Sequence, residues 1–352
     1  MIRALTHALR PTRLRAVLAT FLVAVGGTAC SSTDVTDPSL AEPVPTATSS
    51  TDAVPATATP TPTPLASLTS GIPYGPTSLW ANATTLSAGA SPFSGSQVSL
   101  DPGAVLTVIA TARTKGQRIV LAMTGGSANE FKTNGKFDVN KWKSQMSKFN
   151  TATIRNAIAQ AVSDGIVVGN TMMDEPETVK WGGNVTKALL DQMAVYAKGI
   201  FPTLPQGVNV GPPAYKIWQT TARFTKVDWV RYQYSWWVTE GNVAAWRDIV
   251  LDQARKDGVQ PAFSLNILDG GTKDKSGSWD CPGIGKGTYA PNCNMTADQV
   301  RSWGRTLAAA GGCAMFMWRY DNAYITKSAN QDAFRDVASA TSAAARKSCK
   351  RP

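Results

Sequence analysis

The sequence predicts an α/β protein whose main domain is a (β/α)8 barrel of the TIM type. From residue 71 onward, short apolar runs alternate with helix-length segments, and this rhythm is typical of parallel strands joined by helical crossovers. Several runs end in acidic, amide or aromatic residues, and the carboxyl ends of parallel strands are where such folds bind ligands. A doubly wound open sheet is the alternative, but no GxGxxG motif follows any predicted strand.

Seven strands and eight helices are predicted in the barrel domain. The strands are residues 72–74, 117–123, the central run within 164–177, 208–210, 227–235, 261–268 and 313–320. The helices are residues 101–115, 138–149, 153–163, 186–200, 215–222, 243–256, 297–310 and 331–346. The eighth strand of a complete barrel either lies in the Ser/Gly-rich loop of residues 80–99 or is missing, which would leave an incomplete or irregular barrel.

Residues 1–29 are predicted to be an export signal. Four arginines precede an apolar run over residues 16–25, which is too short to span a bilayer comfortably. The layout resembles the bacterial lipoprotein signal, in which the cysteine, here Cys30, is lipidated and becomes the new N-terminus. Gly27 stands where that family usually has Leu. We therefore expect an exported protein that is either anchored to the cell envelope through Cys30 or secreted.

Residues 30–70 are predicted to be a disordered linker, and residues 71–352 form the barrel domain. The linker consists mainly of Ser, Thr, Pro and Ala, and such a composition buries too little apolar surface to fold. Its four acidic residues cancel the four arginines of the signal, so the barrel domain carries the net charge of +11. This charge suits an acidic polymer or an anionic membrane surface, or it is a dispersed surface charge that serves solubility. Export argues against nucleic acid as a partner.

The central stretch is DGIVVGNTMMDEPE, residues 164–177. Its apolar body is typical of a strand buried on both faces, and three carboxylates follow at its carboxyl end: Asp174, Glu175 and Glu177. Pro176 has no N–H and favours an extended conformation at the residue before it, so the strand is predicted to stop there. We interpret this strand end as an active site. The alternative is a helix N-terminus with acidic residues, which Glu177 alone could be.

The only histidine is His7, inside the predicted signal. A mature domain without histidine excludes Ser-His-Asp and Cys-His mechanisms and the usual His-ligated zinc site. Asp, Glu, Lys and Tyr remain for acid/base chemistry. The acidic cluster lacks the spaced Asp-x-Asp loop of a calcium site, and no metal or other cofactor is predicted.

Carboxylates and aromatic side chains recur at the ends of the later strands as well. Separated carboxylates beside flat aromatic rings are what glycoside cleavage requires. One carboxylic acid protonates the leaving oxygen, and a second carboxylate either attacks the sugar or activates a water molecule. Asp269 and Asp321 are the candidate second carboxylates, although Asp321 could instead cap the turn that follows it. The candidate substrate-binding residues are Tyr234, Trp236, Trp237, Asn266, Trp318, Arg319 and Tyr320. The aromatic residues could instead close the top layer of the barrel.

The motifs MMDEPE and MFMWRYD resemble those of (β/α)8 glycoside hydrolases and their exported, lipoprotein-type relatives. One large clan of these enzymes has its acid/base Glu in an Asn-Glu-Pro motif at the end of the fourth strand. Glu175-Pro176 matches this motif, and Asp174 replaces the Asn. The resemblance implies Glu175 as general acid/base with Asp174 as a neighbour that shifts its pKa. The family's second carboxylate is a Glu that ends a later strand, and this sequence has none there.

The sequence therefore predicts a glycoside hydrolase-like exported protein that acts on a polysaccharide or oligosaccharide. The alternative is a non-catalytic glycan-binding or envelope-scaffold lipoprotein that has kept the barrel. Four cysteines besides Cys30 suit an oxidising compartment. Among the three possible pairings we favour Cys281 with Cys293, which clips one loop, and Cys313 with Cys349, which ties a late strand to the C-terminal tail.

Overall fold

The computed structural model describes residues 70–79, 91–124, 128–212 and 222–352, in which eight parallel strands form a nearly closed barrel. In chain order the strands are β1 (Tyr74–Pro76), β2 (Gly95–Ser99), β3 (Arg118–Ala122), β4 (Val167–Asp174), β5 (Gln206–Val210), β6 (Trp229–Tyr234), β7 (Gln260–Leu265) and β8 (Met315–Met317). Neighbouring strands pair in the order β1-β8-β7-β6-β5-β4-β3-β2. The predicted (β/α)8 fold is confirmed.

The eighth strand is β2, and it lies inside the loop where the sequence left it undecided. Together with β1 it forms the one seam of the barrel, because these two strands are the ends of the hydrogen-bonded order. The Ser96 hydroxyl donates to the Pro76 carbonyl across this seam at 2.8 Å. A β-carbon on Gly75 would lie 2.1 Å from the Gly95 carbonyl oxygen, so the close approach of the two strands requires glycine.

Seven longer helices in the described part of the chain surround the strands. They are α1 (Val105–Thr114), α2 (Val139–Ser147), α3 (Ala152–Ser163), α4 (Lys187–Ile200), α5 (Val243–Asp257), α6 (Ala297–Ala309) and α7 (Ser328–Ala343). Threonine hydroxyls cap several of their N-termini by accepting a backbone N–H three residues ahead, at Thr151, Thr186 and Thr296. No helix among the described residues is long and apolar enough to cross a membrane.

The interior of the barrel is filled at its amino-terminal end by the ring of Trp229. Gly169 on β4 and Gly207 on β5 make room for this ring, since a β-carbon on Gly207 would lie 2.1 Å from it. Side chains two residues apart on a strand face the same side, so Arg231 and Gln233 follow Trp229 along the inside of β6. The buried layer at Trp229 therefore supports a polar layer, which in turn lies beneath the mouth of the barrel.

A buried ion pair fastens α4 to α5. The Lys187 ammonium donates to the Asp257 carboxylate at 2.7 Å, and both side chains are 4% exposed. Lys187 also donates to the Ala222 carbonyl, and the Gln253 amide donates to the second Asp257 oxygen. The ammonium and the second carboxylate oxygen thus each have a further polar contact.

Both predicted disulfides are confirmed, Cys281 with Cys293 and Cys313 with Cys349. A two-stranded hairpin of Lys132–Thr133 and Lys136–Phe137 was not predicted. The predicted signal, Cys30, residues 30–69 of the linker and nearly all of the predicted helix at 215–222 lie outside the described residues.

Candidate active site

Two adjoining depressions open at the carboxyl ends of the strands. The first has a volume of about 300 Å³, and its lining includes Gln97, Thr171 and Arg231. The second, of about 420 Å³, is lined by residues from the ends of β4 to β8 and from the loop that follows β7. Asp174, Lys180 and Trp318 line both depressions. Together the depressions form one cleft, with the end of β4 at its centre.

The chain turns sharply at Glu175, directly after β4. The Glu175 N–H continues the pairing with β5 by donating to the Asn209 carbonyl, and its own carbonyl accepts the Thr178 N–H. Glu175 has φ of +45°, a left-handed conformation that non-glycine residues rarely adopt. The strand ends where it was predicted to end, but the extended backbone expected before Pro176 is wrong. The turn directs the following residues back over the mouth of the barrel.

Lys180 bridges the first two carboxylates of the cluster. Its ammonium lies 3.2 Å from Asp174 Oδ2 and 3.1 Å from Glu175 Oε2. The Asp174 side chain is 58% exposed and that of Glu175 is 33% exposed. Asp174 also accepts a hydrogen bond from Asn209 Nδ2 at 3.3 Å. Both carboxylates are thus held in place while part of each remains open to the cleft.

Glu177 is the third carboxylate of the cluster and was not predicted as a site residue. Its Oε1 accepts the Gly211 N–H at 3.0 Å, and its buried Oε2 has no hydrogen-bond partner among the described residues. Burial, together with the smaller effect of the charges of Glu175 and Asp174, raises the pKa of Glu177 to about 7, although the Gly211 N–H opposes the shift. Oε1 atoms of Glu175 and Glu177 both lie about 3 Å from the point that a β-carbon on Gly211 would occupy. The two carboxylates are therefore close neighbours.

Arg231 forms the floor of the first depression. It is 2% exposed, and its Nη1 donates to Gln97 Oε1 at 3.0 Å. The same Gln97 oxygen accepts from Thr171 and from Asn209, which links the floor to Asp174. The sequence signal for Arg231 is a charged residue at an inward-facing position in the body of an otherwise apolar strand, and it was not used in the prediction.

Aromatic side chains form the wall of the second depression. The rings of Trp318 and Tyr289 stack with their centroids 6.3 Å apart and their planes at 17°. Trp237 also lines this depression, and the Lys273 ammonium lies 5.5 Å from its ring. The Arg319 guanidinium lies 5.6 Å from the Trp318 ring. Three of the predicted substrate-binding residues, Trp237, Trp318 and Arg319, thus line the cleft, together with Tyr289.

Three of the predicted substrate-binding residues, Tyr234, Trp236 and Tyr320, do not line either depression. Tyr234 is fully buried and packs against Trp246 and Trp303 at centroid distances of 5.1 Å. It faces the helices because Gln233, its neighbour in the strand, faces the cleft. Trp236 packs against the hydrophobic core, and Tyr320 is buried with its hydroxyl bonded to Asn322. These residues shape the scaffold below the cleft.

The two candidates for the second carboxylate are both engaged by backbone. Asp321 caps the short helix Asn322–Ile325 by accepting the Tyr324 N–H at 2.8 Å, and it lines neither depression. Asp269 lines the second depression but is 2% exposed, and its Oδ1 accepts the Tyr289 N–H at 2.7 Å. Burial raises the pKa of Asp269, and this hydrogen bond opposes the shift. Asn266 lies beside it and accepts the Asp269 N–H.

The Cys281–Cys293 disulfide holds the loop that carries Tyr289. We expect that Cys281→Ser with Cys293→Ser leaves the barrel folded but opens this loop, because few buried apolar side chains hold it otherwise. Trypsin should then cleave at Lys275 or Lys286 at least tenfold faster, as followed by mass spectrometry. Cys313→Ser with Cys349→Ser is the matched control and should not change cleavage in this loop. Equal resistance of the loop in the first variant and the wild type would contradict this expectation.

The chain matches no protein-family model and no curated protein. Among solved structures it is similar to a GH113 β-mannanase from Alicyclobacillus acidocaldarius, with 13% identity over 79% of this chain and 98% of that one and a TM-score of 0.43. Xylanase 10B from Thermotoga maritima has 11% identity, coverage of 76% and 95%, and a TM-score of 0.44. A glycoside hydrolase family 5 mannosidase from Rhizomucor miehei has 7% identity, coverage of 72% and 85%, and a TM-score of 0.43. At these identities the likeness concerns the barrel fold alone.

Proposed function

We propose that this protein is an exported glycoside hydrolase that cleaves a polysaccharide or oligosaccharide in the cleft at the carboxyl ends of its strands. The observation that carries the proposal is the cluster of Asp174, Glu175 and Glu177, in which one carboxyl group has a pKa near neutrality and two others are open to the cleft. Acid/base catalysis requires neighbouring titratable groups whose different environments give them different pKa values.

The proton donor in this proposal is the pair formed by Glu175 and Glu177. Burial raises the pKa of Glu177 to about 7, so its carboxyl group retains a proton in mildly acidic to neutral solution. Glu175 is the partly exposed member and therefore the one that reaches the glycosidic oxygen. Glu177 is half-buried, accepts the Gly211 N–H and acts as a positioning residue that keeps the proton available.

The second carboxylate in this proposal is Asp174. It has the most exposed side chain of the cluster, and it lies where the two depressions meet. Asp269 and Asp321 are less suited to attack a sugar or activate water, because backbone N–H groups already occupy them. Lys180 and Asn209 orient Asp174, and the stacked rings of Trp318 and Tyr289 offer a flat surface to a pyranose.

The raised pKa of Glu177 also predicts how stability depends on pH. The folded state keeps a proton on Glu177 up to about pH 7, whereas an unfolded glutamate loses it near 4.5. The folded state therefore binds more protons in this interval, and the free energy of unfolding falls as the pH rises through it. Glu177→Gln imitates the protonated form and should lack this loss. Urea unfolding between pH 4.5 and 8 tests the prediction, and parallel pH profiles for the two proteins would contradict it.

A panel of plant, fungal and bacterial polysaccharides tests the proposed function, with both binding and the release of reducing ends measured. The proposal predicts that at least one polysaccharide is bound and cleaved. Binding without cleavage throughout the panel would instead support the alternative, a glycan-binding or scaffold lipoprotein. Anchoring through Cys30 remains a separate prediction, which mass spectrometry of the mature N-terminus tests.

A further inference from the structure

The two depressions of the cleft differ in charge. The second contains the carboxylates of Glu175, Glu177 and Asp269, and it shares Asp174 and Lys180 with the first. The first contains three basic side chains, Lys180, Arg231 and Arg319, and a single acidic one, Asp174. Because Lys180 is already paired with Asp174 and Glu175, the excess positive charge of the first depression comes from the two arginines.

The guanidinium of Arg231 is buried with few partners. Its one hydrogen bond to a side chain among the described residues is that of Nη1 to Gln97, and its Nε has no partner there. No carboxylate of the described part of the chain lies within ion-pair distance of it. The Phe316 ring lies 5.9 Å from it. A buried charge with unused donors is costly unless something pairs with it.

Arg231 nevertheless remains charged at neutral pH. Burial lowers its pKa to about 10, and the charges of Asp174 and Glu175 oppose this decrease. The planar guanidinium fork matches a carboxylate in a bidentate geometry. Arg319 stands above it at the rim, exposed and stacked near Trp318, so the same depression offers one buried and one exposed cation.

We propose that the first depression is a binding subsite for the carboxylate of an acidic sugar, with Arg231 as its buried partner and Arg319 as its partner at the rim. This deepens the proposed function, on which it rests, by naming the substrate class as a uronate-containing glycan. A volume of about 300 Å³ is at the lower end of the range for small-molecule sites, which suits one sugar ring. The net charge of +11 would also attract such an acidic polymer.

The test compares glycans that differ only in charge. Oligogalacturonate and oligomannuronate are each paired with the carboxyl-reduced form of the same oligosaccharide, and dissociation constants are measured by calorimetry with the full-length Glu175→Gln protein, so that cleavage is not needed. We expect at least one uronate to bind roughly tenfold or more tightly than its reduced form, as charged hydrogen bonds typically provide. Arg231→Met should abolish this preference, and Arg319→Gln should weaken it severalfold.

Arg305→Gln is the matched control, because it removes the same charge from an exposed position on α6 and should leave the preference unchanged. If Arg231→Met does not fold, the affinities of Arg319→Gln alone test the proposal.

Equal affinity for every uronate and its reduced form, an unchanged preference in Arg319→Gln, or a preference for sulfated over carboxylated oligosaccharides would overturn the proposal. Uronate binding by a protein that cleaves nothing would support the subsite and contradict the hydrolase. Cleavage of neutral glycans without any uronate preference would support the hydrolase and contradict the subsite.

Discussion

Glu175→Gln is expected to fold normally and to bind glycan, yet to lose roughly 10²- to 10⁴-fold in turnover, the usual contribution of a positioned acid/base. Glutamine retains the shape and hydrogen-bonding capacity of the side chain but has no transferable proton. Because the Glu175 backbone lies in the left-handed region, a change there also needs a conformational control.

Glu240→Gln provides that control. Glu240 is also left-handed, with φ of +51°, and it is exposed at the end of the short helix Trp236–Thr239. The control should keep full turnover and an unchanged melting temperature. Equal cleavage by Glu175→Gln and the wild type would rule out Glu175 as the proton donor.

Asp174→Gly should lose turnover to a similar extent, and added azide should restore part of it by taking the place of the missing carboxylate. If Asp174 is a nucleophile, the product contains a glycosyl azide, which mass spectrometry detects. No rescue, together with full activity in Asp174→Gly, would return the role of second carboxylate to Asp269.

The largest expected effect on stability is that of Lys187→Met, which should lower the free energy of unfolding by about 3–5 kcal/mol. The substitution leaves the Asp257 carboxylate buried without its cationic partner. Urea unfolding measures the loss. Lys187→Met combined with Asp257→Met should recover most of it, because no charge then remains buried.

Lys256→Met is the matched control on the same helix as Asp257. Its partner Asp252 lies 2.6 Å away, but the Lys256 side chain is 64% exposed, and such surface pairs contribute less than about 1 kcal/mol. A loss in Lys187→Met no larger than that in Lys256→Met would mean that the buried pair does not fasten α4 to α5.

The barrel could be predicted because its information is local: apolar runs alternate with helical segments along the chain. The strand β2 stayed undecided because GSQVS has little apolar character. Its glycine is needed for the close contact at the seam, and its glutamine faces the polar interior. The other strands were recognised by a run of apolar residues. A strand that needs glycine and glutamine at these positions has no such run.

The site was predicted in part for a related reason. Asp174 and Glu175 are marked by their place at a strand end, whereas Glu177 becomes a site residue only because β5 brings the Gly211 N–H to it. Tyr234 was predicted as a substrate-binding residue from its residue type, but side chains alternate along a strand, and it is Gln233 that faces the cleft. To predict Arg231 as a site residue, one must likewise know which side chains of β6 face the interior of the barrel, and the sequence alone does not show this.

The most direct test of the account is the initial rate of reducing-end release from one bound polysaccharide by the wild type and by the Glu175→Gln/Glu177→Gln double variant. The account predicts cleavage by the wild type, loss of at least roughly 10²-fold in the double variant, and similar glycan affinity in both. Undiminished cleavage by the double variant, or no cleavage by a wild type that binds the polysaccharide, would contradict it.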